Sequence, residues 1–247
     1  MKFFAMASEL SYLRHTIHPL APVPPEYIGV WQRRRLETSM GRDDTSLVFW
    51  LQTEHLHGDI RVPAGRPAFD VPSLSRMTEQ HLNWLALQQG FAGMTAVEGD
   101  LCQWHREIDY QPENGMRDIG RMQFEGRDKL IETGVDVEYL EVWEMLPESA
   151  GRIASLKTTM KLADDREVPA YWLMAGNWFM FTRDRAAPLP TAADLQTAIR
   201  KHRPDLVTLT AWLDVEISFG RVQANGIGLI QHSTLPFREG RMVDLPF

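Results

Sequence analysis

Short segments in which apolar and polar positions alternate make up most of the chain. In the first half they predict strands at 27–38, 46–53, 60–62, 93–97, 101–110, 118–124 and 135–145, with Gly58 as a bulge or bend. Clusters of Gly, Asp, Asn and Pro separate the segments. Short strands at such spacing are typical of an antiparallel barrel or sandwich rather than of βαβ units.

The second half repeats this order of strands, a helix and further strands. Residues 147–151 (PESAG) form the best boundary, and strands are predicted at 152–162, 168–182, 207–219 and 227–232. One helix follows Ser73 as its N-cap and ends near Gly90, and another follows Thr191 and ends before Pro204. We therefore predict a mainly β fold: an N-terminal extension (1–24, with a short helix at 5–15) and two β-barrel halves (25–147 and 152–247), each with an inserted helix.

Composition and charge narrow the class of protein. The 247 residues contain 26 Lys+Arg and 33 Asp+Glu, a net charge of −7 that argues against a broad nucleic-acid or anionic-lipid surface. The single cysteine, Cys102, excludes an intrachain disulfide framework and is predicted to be a buried structural residue. The N-terminal apolar run stops at Ser8, and no apolar run approaches the length of a membrane span. We expect a cytoplasmic protein with no membrane or nucleic-acid partner.

Several short motifs resemble a known family. They are FWLQT at 49–53, DIRVP at 59–63, DIGRMQF at 118–124, ETG at 132–134 and YLEVW at 139–143 in the first half, and GNWF at 176–179, EISFG at 216–220 and STLP at 233–236 in the second. Together they are similar to a family of two-barrel, calycin-like proteins that includes a fungal protein named for interacting with a casein-kinase-I-type kinase. The resemblance implies a lipocalin-related fold and supplies no catalytic residues.

Strand alternation identifies candidate site residues. Tyr139, Glu141 and Trp143 share one strand face, which suits a small barrel interior where a few polar groups orient a ligand against aromatic walls. If the face of His105 and Asp109 also turns inward, these two residues converge with Tyr139 and Glu141 as an acid–base site. The favoured alternative is that this polar face is solvated while the opposite face, with Cys102, Trp104 and Ile108, is core. Even inside a barrel, a further alternative is that an inward Glu141 simply pairs with an inward arginine such as Arg34 or Arg61.

Two weaker signals point to other chemistry. His55, His57 and Asp59 alternate on one segment, as metal ligands can, but surface histidines are the favoured interpretation, and no metal site or cofactor is predicted. Arg33, Arg34 and Arg35 fall on both strand faces and so form no phosphate-binding patch.

Three functional hypotheses follow from these patterns. The first is a small-molecule-binding protein of the lipocalin-like type, with a pocket in the first barrel. The second is a cofactor-independent lyase, isomerase or hydrolase in which His105 works with Asp109 or Glu141, and the third is a protein-interaction scaffold. Assembly of identical chains is left open. The predicted pocket residues are Arg34, Trp50, Gln52, His105, Tyr139, Glu141 and Trp143.

Overall fold

The computed structural model describes residues 16–162 and 165–247, and the predicted helix at 5–15 lies outside them. These residues form two antiparallel sheets, so the prediction of a mainly β fold is confirmed. The sheets separate between residues 145 and 153, around the predicted boundary.

The first sheet is a closed barrel. Strand β1 pairs with both β3 and β9, which joins the two ends of the strand order β1-β3-β4-β5-β6-β7-β8-β9, and the short β2 extends from β1. Its strands are β1 (Gly29–Thr38), β2 (Gly41–Asp43), β3 (Leu47–Gln52), β4 (Leu56–Val62), β5 (Gln89–Glu98), β6 (Leu101–Asp109), β7 (Asp118–Phe124), β8 (Lys129–Gly134) and β9 (Tyr139–Met145).

The second sheet has six strands. The predicted second barrel is not confirmed, because no ladder joins the first strand of this sheet to the last within the described part of the chain. Its order follows the sequence: β10 (Ile153–Lys161), β11 (Glu167–Ala175), β12 (Trp178–Arg183), β13 (Glu216–Val222), β14 (Gly228–Ser233) and β15 (Met242–Val243).

The described residues contain three short α-helices: α1 (Glu79–Leu85) between β4 and β5, and α2 (Leu195–His202) and α3 (Leu206–Leu213) between β12 and β13. The N-caps differ from the predicted Ser73 and Thr191. Thr78 and Asp194 cap α1 and α2 by accepting backbone N–H groups. The predicted strand at 207–219 was wrong in its first part, which is α3, because a short apolar run does not by itself distinguish a buried helix from a strand.

A shared apolar core lies between the outer wall of the barrel and the second sheet. Phe49 of β3 stacks on Phe219 of β13 with ring centroids 4.4 Å apart. Gly58 lies within β4 and forms no bulge. A Cβ atom there would lie 2.5 Å from Sδ of Met180, so the glycine permits close approach of the second sheet.

Candidate functional site

The interior of the first barrel holds a cavity of about 460 Å³. Most exposed residues of its lining, among them Met40 and Val137, lie on the β1–β2 turn and the β8–β9 loop. Thr38 at the end of β1 and Arg106 near the end of β6 are also exposed, so the cavity opens at this end of the barrel. Its deep walls are largely aromatic. These wall residues are Trp50, Phe91, Trp104, Tyr139 and Trp143.

Two glycines make room for polar side chains in this interior. Gly120 and Gly134 are partners across the β7–β8 ladder. A Cβ atom on Gly120 would lie 2.8 Å from Cγ of Glu132, and one on Gly134 would lie 2.5 Å from Cδ1 of Tyr139. Because the neighbouring side chains occupy the space that a Cβ atom would fill, Glu132 and Tyr139 lie over the glycine backbone and reach the cavity.

The arginines in and beside the cavity already have carboxylate partners. Arg33 donates from Nη1 to Glu141 Oε1 at 2.7 Å and from Nη2 to Asp43 Oδ2 at 2.8 Å. Arg61 donates from Nε to Asp59 Oδ1 at 2.8 Å. The geometry is that of charge-assisted hydrogen bonds, which hold both charges of each pair in fixed positions.

Arg106 of β6 also lines the cavity and, like Arg61, lies against the ring of Phe91. Its Nε and Nη1 donate to Asp118 and to Asp109, each at 3.0 Å. Its guanidinium carbon lies 3.7 Å from the ring centroid of Phe91, a cation–π contact. Two carboxylates and an aromatic ring therefore hold this guanidinium in place, although its side chain is 34% exposed.

Glu132 is the buried carboxylate that differs from the others. It is 3% exposed, and it accepts hydrogen bonds from Tyr139 Oη at 2.6 Å and from Trp143 Nε1 at 3.0 Å. Burial raises the pKa of Glu132 well above its ordinary value, and the nearby charge of Glu141 raises it further. Burial and the charge of Glu132 also raise the pKa of Tyr139, so the phenol keeps its proton and donates it.

A second polar cluster lies at the other end of the barrel interior. Gln52 Oε1 accepts from Thr95 Oγ1 at 2.7 Å and from Trp50 Nε1 at 3.2 Å. Because Thr95 donates its proton to Gln52, it accepts from His57 Nδ1 at 3.0 Å. His57 is fully buried, which lowers its pKa and keeps it neutral, and its Nε2 has no partner in the described residues. His57 is therefore not the surface histidine that we expected.

The structure brings only part of the predicted pocket together. Of its residues, four line the cavity and three do not. Arg34 pairs with Glu144 on the outer surface, where their side chains are 46% and 50% exposed, and Gln52 lies in the second polar cluster. His105 lies on the outside of β6, where Nε2 contacts the carbonyl oxygen of Ile17 at 2.6 Å. The four lining residues are Trp50, Tyr139, Glu141 and Trp143.

A β-bulge explains why the faces of β6 differ from the simple alternation. The register with β5 shifts at Ala92 and Gly93, so that Glu107 has no partner in the ladder. Cys102 and Trp104 pack inside the barrel, whereas Ile108 joins the core shared with the second sheet. The three residues therefore do not share one face, although all three are buried.

A larger groove of about 810 Å³ lies along the outside of β6 and the loop that follows it. It is lined in part by His105, Glu107 and Asp109. No hydrogen bond joins His105 to a carboxylate there among the described residues. Asp109 bonds to Arg106, and Glu107 accepts from Tyr171 Oη at 2.6 Å. The groove thus does not assemble the expected acid–base pair.

Sequence reasoning missed Glu132, Asp118 and Arg106 as cavity-lining residues. Residues 129–134 were not predicted as a strand, although Leu130, Glu132 and Gly134 show the period of two that marks one side of β8. Arg106 was assigned to the strand face of Cys102 and Trp104, but it lines a cavity only because the barrel closes around that face.

Within the described ranges, no three His, Cys, Asp or Glu side chains are grouped as a metal site requires. No helix in those ranges has the length and apolar character needed to cross a membrane. No protein-family model matches this chain, and no curated protein or solved structure matches it either.

Proposed function

We propose that this protein binds a small organic molecule in the cavity of its first barrel. The observation that carries the proposal is the combination of a closed barrel with an open-mouthed interior cavity of about 460 Å³. Small-molecule sites occupy roughly 300–1,000 Å³, are mostly apolar and aromatic, and contain a few fixed polar groups.

The polar groups of this cavity support a binding role. Arg61, Glu141 and Glu132 are held by neighbouring side chains, so their positions are set before a ligand arrives. Such preorganisation lowers the entropy cost of binding. Burying charged groups costs desolvation free energy that pairing offsets only in part, and an apolar core would be at least as stable, so their presence favours a role other than stability.

The proposed type is lipocalin-like and the proposed location is the cytoplasm. Membership of the two-barrel, calycin-like family remains a prediction from the short motifs. The enzymatic alternative lacks a specific observation in its favour, because His105 lies outside the barrel, away from Glu141. The scaffold hypothesis likewise has no observation that favours it over ligand binding.

Native mass spectrometry of protein purified from its own host tests the proposal. We expect an additional small-molecule mass that is lost on denaturation. Thr38→Trp, which places an indole at the cavity mouth, should abolish this mass. Thr158→Trp on the exposed strand β10 is the matched control and should retain it. A retained mass that is unchanged in Thr38→Trp would contradict binding in this cavity.

A further inference from the structure

We propose that the ligand of this cavity is an organic cation, a protonated amine with an aromatic or apolar body, and that its ammonium group binds Glu132. This inference rests on the proposed function and specifies its ligand class. It follows from the distribution of charge around the cavity and from the composition of its walls.

Carboxylates outnumber cations in and beside the cavity. Three arginines are present, and each already bonds to at least one carboxylate. Three buried carboxylates of the described residues line the cavity: Asp59, Glu132 and Glu141. Asp59 and Glu141 pair with arginines, whereas Glu132 has no Lys, Arg or His nitrogen within 4.0 Å among the described residues. The seven carboxylates are Asp43, Asp59, Asp109, Asp118, Glu132, Glu138 and Glu141.

The neutral partners of Glu132 orient it without supplying a positive charge. Tyr139 donates to Oε1 and Trp143 to Oε2, which uses one acceptor site on each oxygen. A carboxylate has about four acceptor sites, so about two remain for a ligand. Burial and the charge of Glu141 raise the pKa of Glu132, so below that pKa its carboxyl group is protonated while the cavity is empty. An ammonium group has three N–H donors and a positive charge, so its binding favours the ionised carboxylate and the carboxyl proton is released to solvent.

The aromatic walls are an independent observation that favours the same ligand class. Trp50, Trp104 and Trp143 lie around the cavity, with edge-to-face contacts at 5.5 Å and 5.9 Å between ring centroids. The faces of indole rings attract cations, and their apolar area accommodates an aromatic or aliphatic body. Carboxylates and indole rings together recognise amines better than neutral or anionic molecules.

Anionic ligands fit the same groups poorly. Arg106 is held by two carboxylates and lies against Phe91, and Arg61 is held by Asp59. An anion would have to break these pairs and would then lie beside the displaced carboxylates. The surrounding charge thus disfavours anions even though arginines line the cavity.

Three compounds with a phenyl ring and similar length test the inference: phenethylamine, phenethyl alcohol and hydrocinnamate. Binding to the full chain is measured by calorimetry and by tryptophan emission, which reports on the indole-rich walls. We expect phenethylamine to bind at least about tenfold more tightly than the other two, as a charge-assisted hydrogen bond implies. Because this comparison uses the unaltered protein, it does not depend on a variant that folds.

Substitution of Glu132 then assigns the site. Glu132→Gln should remove the preference for the amine and leave the affinity for the alcohol within about twofold, whereas Glu132→Asp should retain part of the preference. Glu144→Gln, which changes an exposed carboxylate on the outside of β9, is the matched control and should have no effect.

The outcomes separate the two proposals. The amine inference is overturned if phenethyl alcohol or hydrocinnamate binds as tightly as phenethylamine. It is also overturned if Glu132→Gln still binds phenethylamine more tightly than the other two compounds. In both cases the proposal of binding in the cavity stands. If none of the three compounds binds and native mass spectrometry finds no retained molecule, both proposals fail.

Discussion

Glu132 and Glu141 are direct partners across the β8–β9 ladder, yet only Glu141 forms an ion pair within the described structure. Their side chains enter the same interior. Arg33 neutralises Glu141 at 2.7 Å, whereas Glu132 bonds only to the neutral donors Tyr139 and Trp143. This asymmetry produces one buried carboxylate that is paired with an arginine and one that has only neutral hydrogen-bond donors.

Arg33→Met should strongly destabilise the protein. The side chains of Arg33 and Glu141 are only 6% and 4% exposed, so removing the arginine leaves a buried carboxylate with only the longer contact to Arg61. We expect a loss of about 3 kcal/mol in the free energy of unfolding, measured in urea. The matched control, Arg34→Met, breaks an exposed pair with Glu144 and should cost at most about 1 kcal/mol. Equal losses in the two variants would contradict the buried role of Arg33.

The contribution of Glu132 to stability should depend on pH. Burial and the charge of Glu141 raise its pKa above the ordinary value of 4.5, Asp118 adds to the increase, and Arg61 and the Tyr139 hydrogen bond oppose it. Above pH 4.5 the Glu132 carboxyl group loses its proton in the unfolded chain, whereas in the folded chain it keeps that proton up to the raised pKa. The folded state therefore loses about 1.4 kcal/mol per pH unit up to the raised pKa.

Comparison with Glu132→Gln isolates this effect from the other titrating groups. The stability of the unaltered protein relative to that of the variant should fall as pH rises from 4.5. Urea unfolding of both proteins at a series of pH values provides the measurement. A difference that stays constant with pH would show that the carboxyl group titrates normally.

Gly120→Ala should destabilise the barrel by about 1–3 kcal/mol, because the new methyl group would overlap Cγ and Oε1 of Glu132 at 2.8 Å. The same substitution in a Glu132→Ala background should cost less, since the atoms that clash are gone. Urea unfolding of the two single variants and the double variant measures this coupling. Additive losses would mean that Gly120 is required for a reason other than the side chain of Glu132.

Phe219→Ala should destabilise the barrel and the second sheet together. Phe219 is fully buried and stacks on Phe49 of the barrel and on Trp178 of its own sheet. We expect a loss of about 3–5 kcal/mol with a single unfolding transition, followed by near-UV circular dichroism. Val207→Ala, at a side chain 76% exposed, is the control and should change stability by less than about 0.5 kcal/mol. Two separate transitions would show that the halves unfold independently.

Cys102 should be unreactive in the native protein. It lies fully buried in the barrel interior, where burial and the charges of Glu132 and Asp118 raise its pKa well above 9.0. Ellman's reagent should therefore react with the unfolded chain and much more slowly with the folded one. Thr158→Cys places a thiol on an exposed strand and provides a positive control. Rapid native reaction at Cys102 would mean that the barrel opens readily.

Local patterns were enough to predict many of the strands. Strand β7 matches the predicted range 118–124, and β6 differs from the predicted 101–110 by one residue at its end. Alternation and turn residues act over a few neighbouring positions, so they are visible in one sequence. The same patterns predicted aromatic and acidic residues of β9 for a barrel interior, and Tyr139, Glu141 and Trp143 line the cavity.

The sequence by itself thus determined many of the strands, the turns between them and the polar–aromatic face of β9. Only the tertiary structure decided which face of β6 turns inward, because the bulge at Glu107 and the closure of β1 on β9 depend on distant pairing. It also selected Arg33 rather than Arg34 as the partner of Glu141, since one step along a strand moves a side chain to the other side of the barrel wall. The tertiary structure likewise decided the burial and the raised pKa of Glu132, because its hydrogen-bond donors Tyr139 and Trp143 belong to another strand.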